Sequence, residues 1–254
     1  MKLGAQLFSL RKFIKTPEDI RTTFRRVKAL GYENVQFSGG GPIDARELKA
    51  ISEETGLPIV CTHSAYDRIL NDTEALIEEH KIFDCPVIGL GSMPKEFRED
   101  GTGVVRFLEE LKAPVEKILN SGLRFAYHNH NFEFKIKTPE GEMIYDYMLR
   151  TCPDWQFIMD TYWVEFAGQS AIDYIAKIGA DRLTNIHYKD MANTEERGIC
   201  ACGTGTLNFQ AIFEACQKNG GVENVLVEQD NAVDFDDPFG QMEISFRHLR
   251  PIIK

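Results

Sequence analysis

Short apolar runs of four to six residues alternate with longer amphipathic segments along the whole chain. The short runs have the length and composition of buried strands, and the longer segments place apolar residues at helical spacing. Several runs are continuously apolar, as expected for a parallel sheet that is covered on both faces. The strand pattern occurs eight times, at residues 3–8, 34–37, 58–62, 87–90, 123–127, 156–160, 183–187 and 224–228.

Helical patterns occupy the intervals between these runs. The first has Thr16 as its capping residue, Pro17 at its first position and Gly31 after its end, which are typical boundary signals of a helix. The patterns fall at residues 17–30, 43–55, 72–83, 104–119, 143–150, 171–178, 208–219 and 238–249. Eight strands alternating with helices predict an α/β fold, a single-domain (β/α)8 TIM barrel over residues 1–254. A doubly wound sheet is the alternative, but no GxGxxG turn follows the first strand.

The net charge and the cysteines restrict the possible partners and the cellular compartment of the protein. The chain has 254 residues and a net charge of −10 at pH 7, which disfavours nucleic acid and anionic membranes as partners. No apolar run reaches the length of a membrane span, and the first residues enter a strand pattern directly, so we expect neither a membrane segment nor a signal peptide. Six scattered cysteines predict reduced thiols in a cytoplasmic protein.

Potential metal ligands stand at the ends of four consecutive predicted strands. The fifth strand leads into Tyr-His-Asn-His-Asn-Phe-Glu-Phe at residues 127–134, and the next three end in Asp160, His187 and Glu228. Because barrel enzymes place their active sites at the carboxyl ends of the strands, we expect these groups to meet in one pocket. Imidazoles and carboxylates together suit one divalent ion, Mn²⁺, Zn²⁺, Co²⁺, Fe²⁺ or Ni²⁺, and Mg²⁺ less well. The alternative is a set of hydrogen-bonded groups that closes the mouth of the barrel.

Three residues could supply the metal ligand from the fifth strand, and the choice among them is open: His128, His130 and Glu133. His128 and His130 project to the same face of a strand, whereas Glu133 lies further into the loop.

Other polar or aromatic residues at strand ends are expected to bind substrate. They are Gln6, His63, His130, Trp163 and Lys189. Trp163 has the chemistry of an apolar wall for a sugar ring, or of a core aromatic. Lys189 could bind a substrate oxygen, or be a solvated lysine paired with Asp190.

A glycine-rich segment, Gly-Thr-Gly-Thr at residues 203–206, lacks the GK[ST] ending of a phosphate-binding loop. We expect it to turn tightly over the pocket, ahead of the helix that begins near Asn208.

At these motifs the whole chain resembles the sugar phosphate isomerase/epimerase superfamily, the xylose isomerase-like barrels. These include ketose 3-epimerases, hydroxypyruvate isomerase, inosose dehydratase, 3-dehydroshikimate dehydratase and endonuclease IV. The resemblance is carried by residues 127–134, 159–163, 186–190, 203–207 and 227–230. It implies one divalent metal held by Glu, Asp, His and Glu, of which the last three correspond to Asp160, His187 and Glu228. His128 stands where the family has its first Glu, so the resemblance implies His128 as the remaining ligand, or else Glu133 if it reaches back to the site.

In epimerases of this family, the first and last Glu flank the sugar carbon as a pair of bases. The resemblance thus implies a metal-dependent sugar or polyol isomerase, epimerase or dehydratase/lyase that abstracts a proton next to a carbonyl by way of a metal-bound enediolate. Glu228 or Glu133 is expected to be the base, and a histidine, His128 or His130, the alternative or the opposing acid.

Two other functions are weighed against this one. The missing first carboxylate would suit a sugar-binding barrel without turnover, or a subunit of a larger sugar-modifying enzyme. An endonuclease IV-like phosphodiesterase is disfavoured by the acidic charge. A small-molecule sugar or polyol is the expected partner. The sequence leaves open which one it is, whether it is phosphorylated, and whether the chain forms a homo-oligomer.

Overall fold

Eight parallel strands form a nearly closed barrel in the computed structural model, which describes residues 1–253. The strands are β1 (Lys2–Gln6), β2 (Asn34–Phe37), β3 (Ile59–Thr62), β4 (Val87–Leu90), β5 (Arg124–His128), β6 (Gln156–Asp160), β7 (Asn185–Tyr188) and β8 (Asn224–Val227). They lie side by side in the order β3-β2-β1-β8-β7-β6-β5-β4. Between β3 and β4 the backbone N–H of Ser64 donates to Gly89 O at 2.7 Å, which bridges the remaining gap. The predicted (β/α)8 barrel is therefore confirmed.

Helices connect successive strands and cover the outside of the barrel. They are α1 (Pro17–Leu30), α2 (Ala45–Thr55), α3 (Tyr66–Asn71), α4 (Thr73–Ile82), α5 (Gly103–Asn120), α6 (Ile144–Thr151), α7 (Thr161–Phe166), α8 (Ala171–Ile178), α9 (Phe209–Asn219) and α10 (Pro238–Leu249). The boundary signals of α1 act as predicted, because Thr16 forms a capping box with Asp19 and Gly31 ends the helix in the left-handed conformation.

Three details differ from the sequence-based expectation. The first strand ends at Gln6, because the Gln6 side chain accepts a hydrogen bond from Phe8 N at 2.7 Å and starts a 3-10 helix. Two short helices, α3 and α7, lie in segments without a predicted helix. Both have six residues, too few to give a clear helical periodicity.

The interior of the barrel is built from the side chains that alternate inward along each strand. At the amino-terminal end, Asn34 Nδ2 donates to Asn224 Oδ1 at 2.7 Å and Asn224 Nδ2 to Asn185 Oδ1 at 3.0 Å. A Cβ on Gly4 would lie 1.8 Å from Asn34 Oδ1, so glycine makes room for this network. Above it lies an apolar layer of Cys61, Val87, Ala126 and Ile158. The next inward positions, at the carboxyl ends of the strands, are polar.

Two further observations concern the cysteines and the apolar character of the helices. All six cysteines are free thiols. Among residues 1–253, no helix combines the length and the apolar character that a membrane crossing requires.

Candidate active site

Four buried side chains meet at the carboxyl end of the barrel: His128, Asp160, His187 and Glu228. They come from the ends of β5, β6 and β7 and from the residue after β8. One nitrogen or oxygen of each lies within 4.8 Å of those of the other three. Because each residue occupies an inward position of its strand, the alternation along the sheet is what brings them together.

The His128 ring is oriented by the backbone of the neighbouring strand. Its Nδ1 lies 2.9 Å from Gly91 O, and because a carbonyl oxygen only accepts, Nδ1 is the donor and Nε2 is the nitrogen directed at the cluster. Nε2 lies 3.3 Å from Asp160 Oδ2 and 4.0 Å from Glu228 Oε2. His128 therefore presents Nε2 to the other three groups, and this is the nitrogen that would bind an ion.

His187 is held in the same way from across the barrel. Its Nε2 lies 2.6 Å from Gln36 Oε1, and Gln36 Nε2 donates to Thr62 O at 3.3 Å, which fixes the orientation of the amide. His187 Nε2 is thus the donor to Gln36, and Nδ1 faces the cluster, 2.9 Å from Glu228 Oε2 and 3.8 Å from Asp160 Oδ2.

Each carboxylate also has one oxygen engaged and one directed to the centre. Asp160 Oδ1 accepts from Trp163 N at 3.1 Å and caps α7. Glu228 Oε1 accepts from Gln6 Nε2 at 2.9 Å. The atoms that remain are two imidazole nitrogens and two carboxylate oxygens, a set that suits Mn²⁺, Zn²⁺, Co²⁺, Fe²⁺ or Ni²⁺. The donor chemistry and the second partners of all four residues therefore fit the predicted divalent ion.

Lys189 brings its ammonium group into this cluster. Its Nζ lies 2.9 Å from Asp160 Oδ2, 2.8 Å from Glu228 Oε2 and 3.2 Å from Asp230 Oδ2. The alternative of a solvated lysine paired with Asp190 is wrong, because Lys189 is buried and its partners are these three carboxylates. Asp230 is a member of the site that the sequence did not predict, although its position two residues after Glu228 places it near a strand end.

The charges in this cluster shift one another's pKa values. Burial alone would raise the pKa of Asp160 and Glu228, yet Lys189 and the imidazoles hold the pKa of both carboxyl groups below the usual range. Burial disfavours the ammonium, but Asp160, Glu228 and Asp230 raise the pKa of Lys189 well above its usual value. Two carboxylates and one ammonium therefore coexist in the buried centre.

Glu133, the alternative ligand and base, lies outside the cluster. Its carboxylate is fully buried and accepts hydrogen bonds from Tyr127 Oη at 2.6 Å and from His130 N at 2.9 Å. Burial raises the pKa of Glu133 to about 7, although both hydrogen bonds act to lower it. The alternative in which Glu133 reaches back to supply the fifth-strand ligand is not met. The short 3-10 turn Phe132–Phe134 directs its carboxylate to Tyr127 instead.

A cavity of about 450 Å³ opens above the four ligand candidates. His63 and His130 line it. Burial, reinforced by the neighbouring His128, lowers the pKa of His63 well below its usual value and that of His130 to about 3, so both imidazoles are neutral at pH 7. The rest of the wall combines hydroxyls, apolar surface and charged groups, among them Phe8, Ser38, Ser64, Tyr66, Ser92, Lys189, Glu228 and Asp230.

The other predicted substrate-binding residues hold these groups in place. Gln6 is buried and lies between His63 Nδ1, at 3.5 Å, and Glu228 Oε1. Trp163 is not part of the cavity wall; its ring packs against His130 with centroids 5.3 Å apart. Lys189 Nζ lies 5.4 Å from the centre of the Trp163 ring. Trp163 thus contacts the site through His130 and Lys189.

Asp190 organises the glycine-rich loop beside the site. Its Oδ2 accepts from Gly203 N at 2.8 Å and Gly205 N at 3.0 Å, and its Oδ1 from Met191 N at 2.8 Å and Leu207 N at 3.1 Å. A Cβ on Gly205 would lie 2.3 Å from Met191 O, so the second glycine is required by close packing. The segment is a tight turn before α9, as expected, but its residues are not among those that line the cavity.

Comparison with known proteins places this fold in a family. The family model of the xylose isomerase-like TIM barrel matches residues 24–252. The chain belongs to the xylose isomerase-like TIM barrel family. No curated protein matches the chain.

Several solved structures share the fold of this family member over nearly its whole length. A sugar phosphate isomerase/epimerase from Parabacteroides distasonis has 21% identity and a TM-score of 0.81, with 100% of this chain and 96% of that chain covered. The 3-keto-D-glucoside 4-epimerase from E. coli has 21% identity and a TM-score of 0.72, with 99% of each chain covered. The D-psicose 3-epimerase from Clostridium cellulolyticum has 15% identity and a TM-score of 0.75, with 100% of each chain covered.

Proposed function

We propose that the protein is a divalent-metal-dependent enzyme that isomerises, epimerises or dehydrates a sugar or polyol by moving a proton next to a carbonyl group. The supporting observation is the convergence of four donor atoms, each on a side chain whose other polar atom is already engaged. Such pairs of contacts orient metal ligands. Similar structures that include a 3-keto-D-glucoside 4-epimerase and a D-psicose 3-epimerase point to the same class of reaction.

His128, Asp160, His187 and Glu228 would hold the ion. When bound, a divalent ion supplies Lewis acidity that polarises a substrate carbonyl. This chain differs from the family pattern in using an imidazole, His128, for the first ligand. The protein therefore has one carboxylate fewer at the centre, where Asp160 and Glu228 are the two carboxylates among the four ligand candidates.

The cavity walls suit a small polyhydroxylated molecule. Ser38, Ser64 and Ser92 offer hydroxyl groups, and Phe8 and Tyr66 offer aromatic surface. A volume of about 450 Å³ lies within the usual range of small-molecule sites. This combination of hydroxyl donors and apolar faces favours a sugar or a polyol.

Proton transfer is assigned to Glu228 and a histidine. Glu228 lines the cavity. Because its Oε2 is the oxygen assigned to the ion, the proton would be accepted by Oε1, which Gln6 Nε2 orients from 2.9 Å. The low pKa of Glu228 keeps it ionised, the state in which it can accept a proton. His130 lines the same cavity as a neutral imidazole and is the proposed partner for the second transfer. His128 is reserved for the ion, since both of its nitrogens are engaged.

The test measures metal content and proton exchange together. Elemental analysis should find about one transition metal per chain in the wild type and in Asp181→Asn, an exposed control, and none in Asp160→Asn. Ketoses, keto-inositols and 3-keto-glycosides incubated with the loaded protein in heavy water should take up deuterium next to the carbonyl. A protein that holds metal and sugar but catalyses no exchange would instead be the sugar-binding barrel. A wild type without metal after supplementation would contradict the proposal.

A further inference from the structure

The Lys189 ammonium lies against the same two oxygens that the proposed metal needs. Asp160 and Glu228 each have one oxygen directed to the centre of the cluster, and Lys189 Nζ lies 2.9 Å and 2.8 Å from these two atoms. The other oxygen of each carboxylate is already engaged by Trp163 N or Gln6 Nε2. An ammonium and a divalent cation repel each other strongly in a buried site, so the two cannot share these oxygens at contact distance.

A third carboxylate offers the ammonium another partner close by. Asp230 Oδ2 lies 3.2 Å from Lys189 Nζ, and its side chain, 29% exposed, lines the cavity. Asp230 does not belong to the four-residue donor set. Its backbone oxygen is anchored by Arg11 Nη1 at 2.7 Å.

The backbone of Lys189 is anchored as well. Lys189 N donates to Thr161 Oγ1 at 3.1 Å, and Thr161 Oγ1 donates to Lys189 O at 3.0 Å. Any rearrangement is therefore confined to the flexible side chain, whose four-carbon stem permits a small displacement of the ammonium.

We infer that Lys189 and the divalent ion compete for Asp160 and Glu228, and that binding of the ion transfers the Lys189 ammonium to Asp230 at the cavity wall. This inference rests on the proposed metal-dependent function. Lys189 then has two successive roles. Without the ion it neutralises the buried carboxylates, and with the ion it offers a hydrogen-bond donor to a substrate oxygen in the cavity.

The competition is tested by the affinity for Mn²⁺, measured by isothermal titration calorimetry on metal-free full-length protein without substrate. Lys189→Met removes the competing charge and should lower the Kd at least tenfold. Lys189→Gln serves as a second variant, because its amide can still hydrogen-bond to the carboxylates if the methionine variant does not fold. Lys218→Met, an exposed lysine on α9, is the matched control and should leave the Kd unchanged.

The transfer to Asp230 is tested by a double-mutant cycle. Asp230→Asn should raise the Kd for Mn²⁺, because the displaced ammonium loses its alternative partner. In the Lys189→Met background the same change should have a clearly smaller effect. An equal effect in both backgrounds would mean that Asp230 acts only through its charge, and would overturn the transfer.

The outcomes separate this inference from the proposed function. If the wild type binds Mn²⁺ and both Lys189 variants bind it equally well or more weakly, the competition is overturned while the metal centre stands. If only the Lys189 variants bind Mn²⁺, the competition is supported. If no variant binds Mn²⁺, Zn²⁺ or Co²⁺, the proposed function is overturned and this inference with it.

Discussion

The Oε1 atom of Gln36 on β2 lies 2.6 Å from the Nε2 atom of His187 on β7. The contact crosses the interior of the barrel and selects the nitrogen that His187 presents to the cluster. The Gln36 amide in turn donates to Thr62 O on β3. The orientation of His187 on β7 therefore depends on β2 and β3.

Gln36→Leu should weaken divalent metal binding by about 10- to 100-fold, the usual effect of removing the partner that orients a ligand. The reason is that His187 Nε2 loses its acceptor and the ring is no longer held with Nδ1 inward. The measurement is the Kd for Mn²⁺. Gln36→Glu keeps an acceptor and should retain most of the affinity, and Gln210→Leu on the exposed face of α9 should change nothing. An unaltered Kd in Gln36→Leu would show that His187 needs no such support.

A second prediction concerns the pH dependence of stability through Glu133. In the unfolded chain this carboxyl loses its proton near its usual pKa of 4.5, whereas in the folded protein the pKa is about 7. Between these values the folded state binds more protons, so the contribution of Glu133 to stability is present below about pH 4.5 and is lost as the pH rises through 7. Glu133→Gln removes this loss.

The unfolding free energy of Glu133→Gln, relative to the wild type, should therefore rise between about pH 5 and pH 8, by at most about 3 kcal/mol. Urea unfolding at several pH values measures it. Glu140→Gln, an exposed control, should show no such trend. A constant difference between variant and wild type would mean that Glu133 ionises at its ordinary pKa in the folded protein.

The third prediction concerns Asp190 and its loop. Its carboxylate accepts four backbone hydrogen bonds, two of them from Gly203 and Gly205. Asp190→Asn replaces one oxygen by an NH2 group that cannot accept, and we expect a loss of roughly 2 to 4 kcal/mol of stability. Faster amide exchange at residues 203–207 should accompany it. Asp154→Asn, exposed, is the control, and equal exchange rates in both variants would contradict the role.

Much of this architecture follows from local patterns in the sequence. The edges of β2, β4 and β6 coincide with the predicted strands. In β4 the signal is a continuous apolar run, as expected of a strand buried on both faces. The bounds of α1 follow from Thr16, Pro17 and Gly31, which act on their own neighbours. The meeting of Asp160, His187 and Glu228 follows from the topology alone, since parallel strands of a barrel end at the same rim.

The remaining features depend on contacts between residues distant in the chain. No local signal indicates that Glu133 would bond to Tyr127 instead of joining the ligands, because this depends on the turn after His128. The partners of Lys189 come from β6 and from the segment after β8. Its neighbour Asp190 was the nearest opposite charge in sequence, and proximity in sequence gave the wrong partner.

The final prediction concerns Gln6, which donates to Glu228 Oε1 at 2.9 Å. A hydrogen bond to a carboxylate favours its ionised form, so removing the donor should raise the pKa of Glu228. The limb of the pH–rate profile that reports this base should then move to higher pH. We expect a loss in kcat of roughly 10- to 100-fold, since hydrogen bonds to charged groups contribute about 1.5 to 3 kcal/mol, with the Kd for metal changed much less than in Gln36→Leu.

Two substitutions distinguish this effect from the structural role of Gln6 as the cap of Phe8 N. Gln6→Leu removes both the donor and the cap, whereas Gln6→Glu keeps an acceptor for Phe8 N and loses only the donor. Both should shift the pH–rate profile in the same direction, and Gln6→Glu should shift it further, because a second carboxylate beside Glu228 disfavours its ionised form. Gln217→Leu, at an exposed position of α9, is the control. A lower rate with an unshifted profile would assign Gln6 to the fold of the loop after β1 and leave Glu228 without the proposed support.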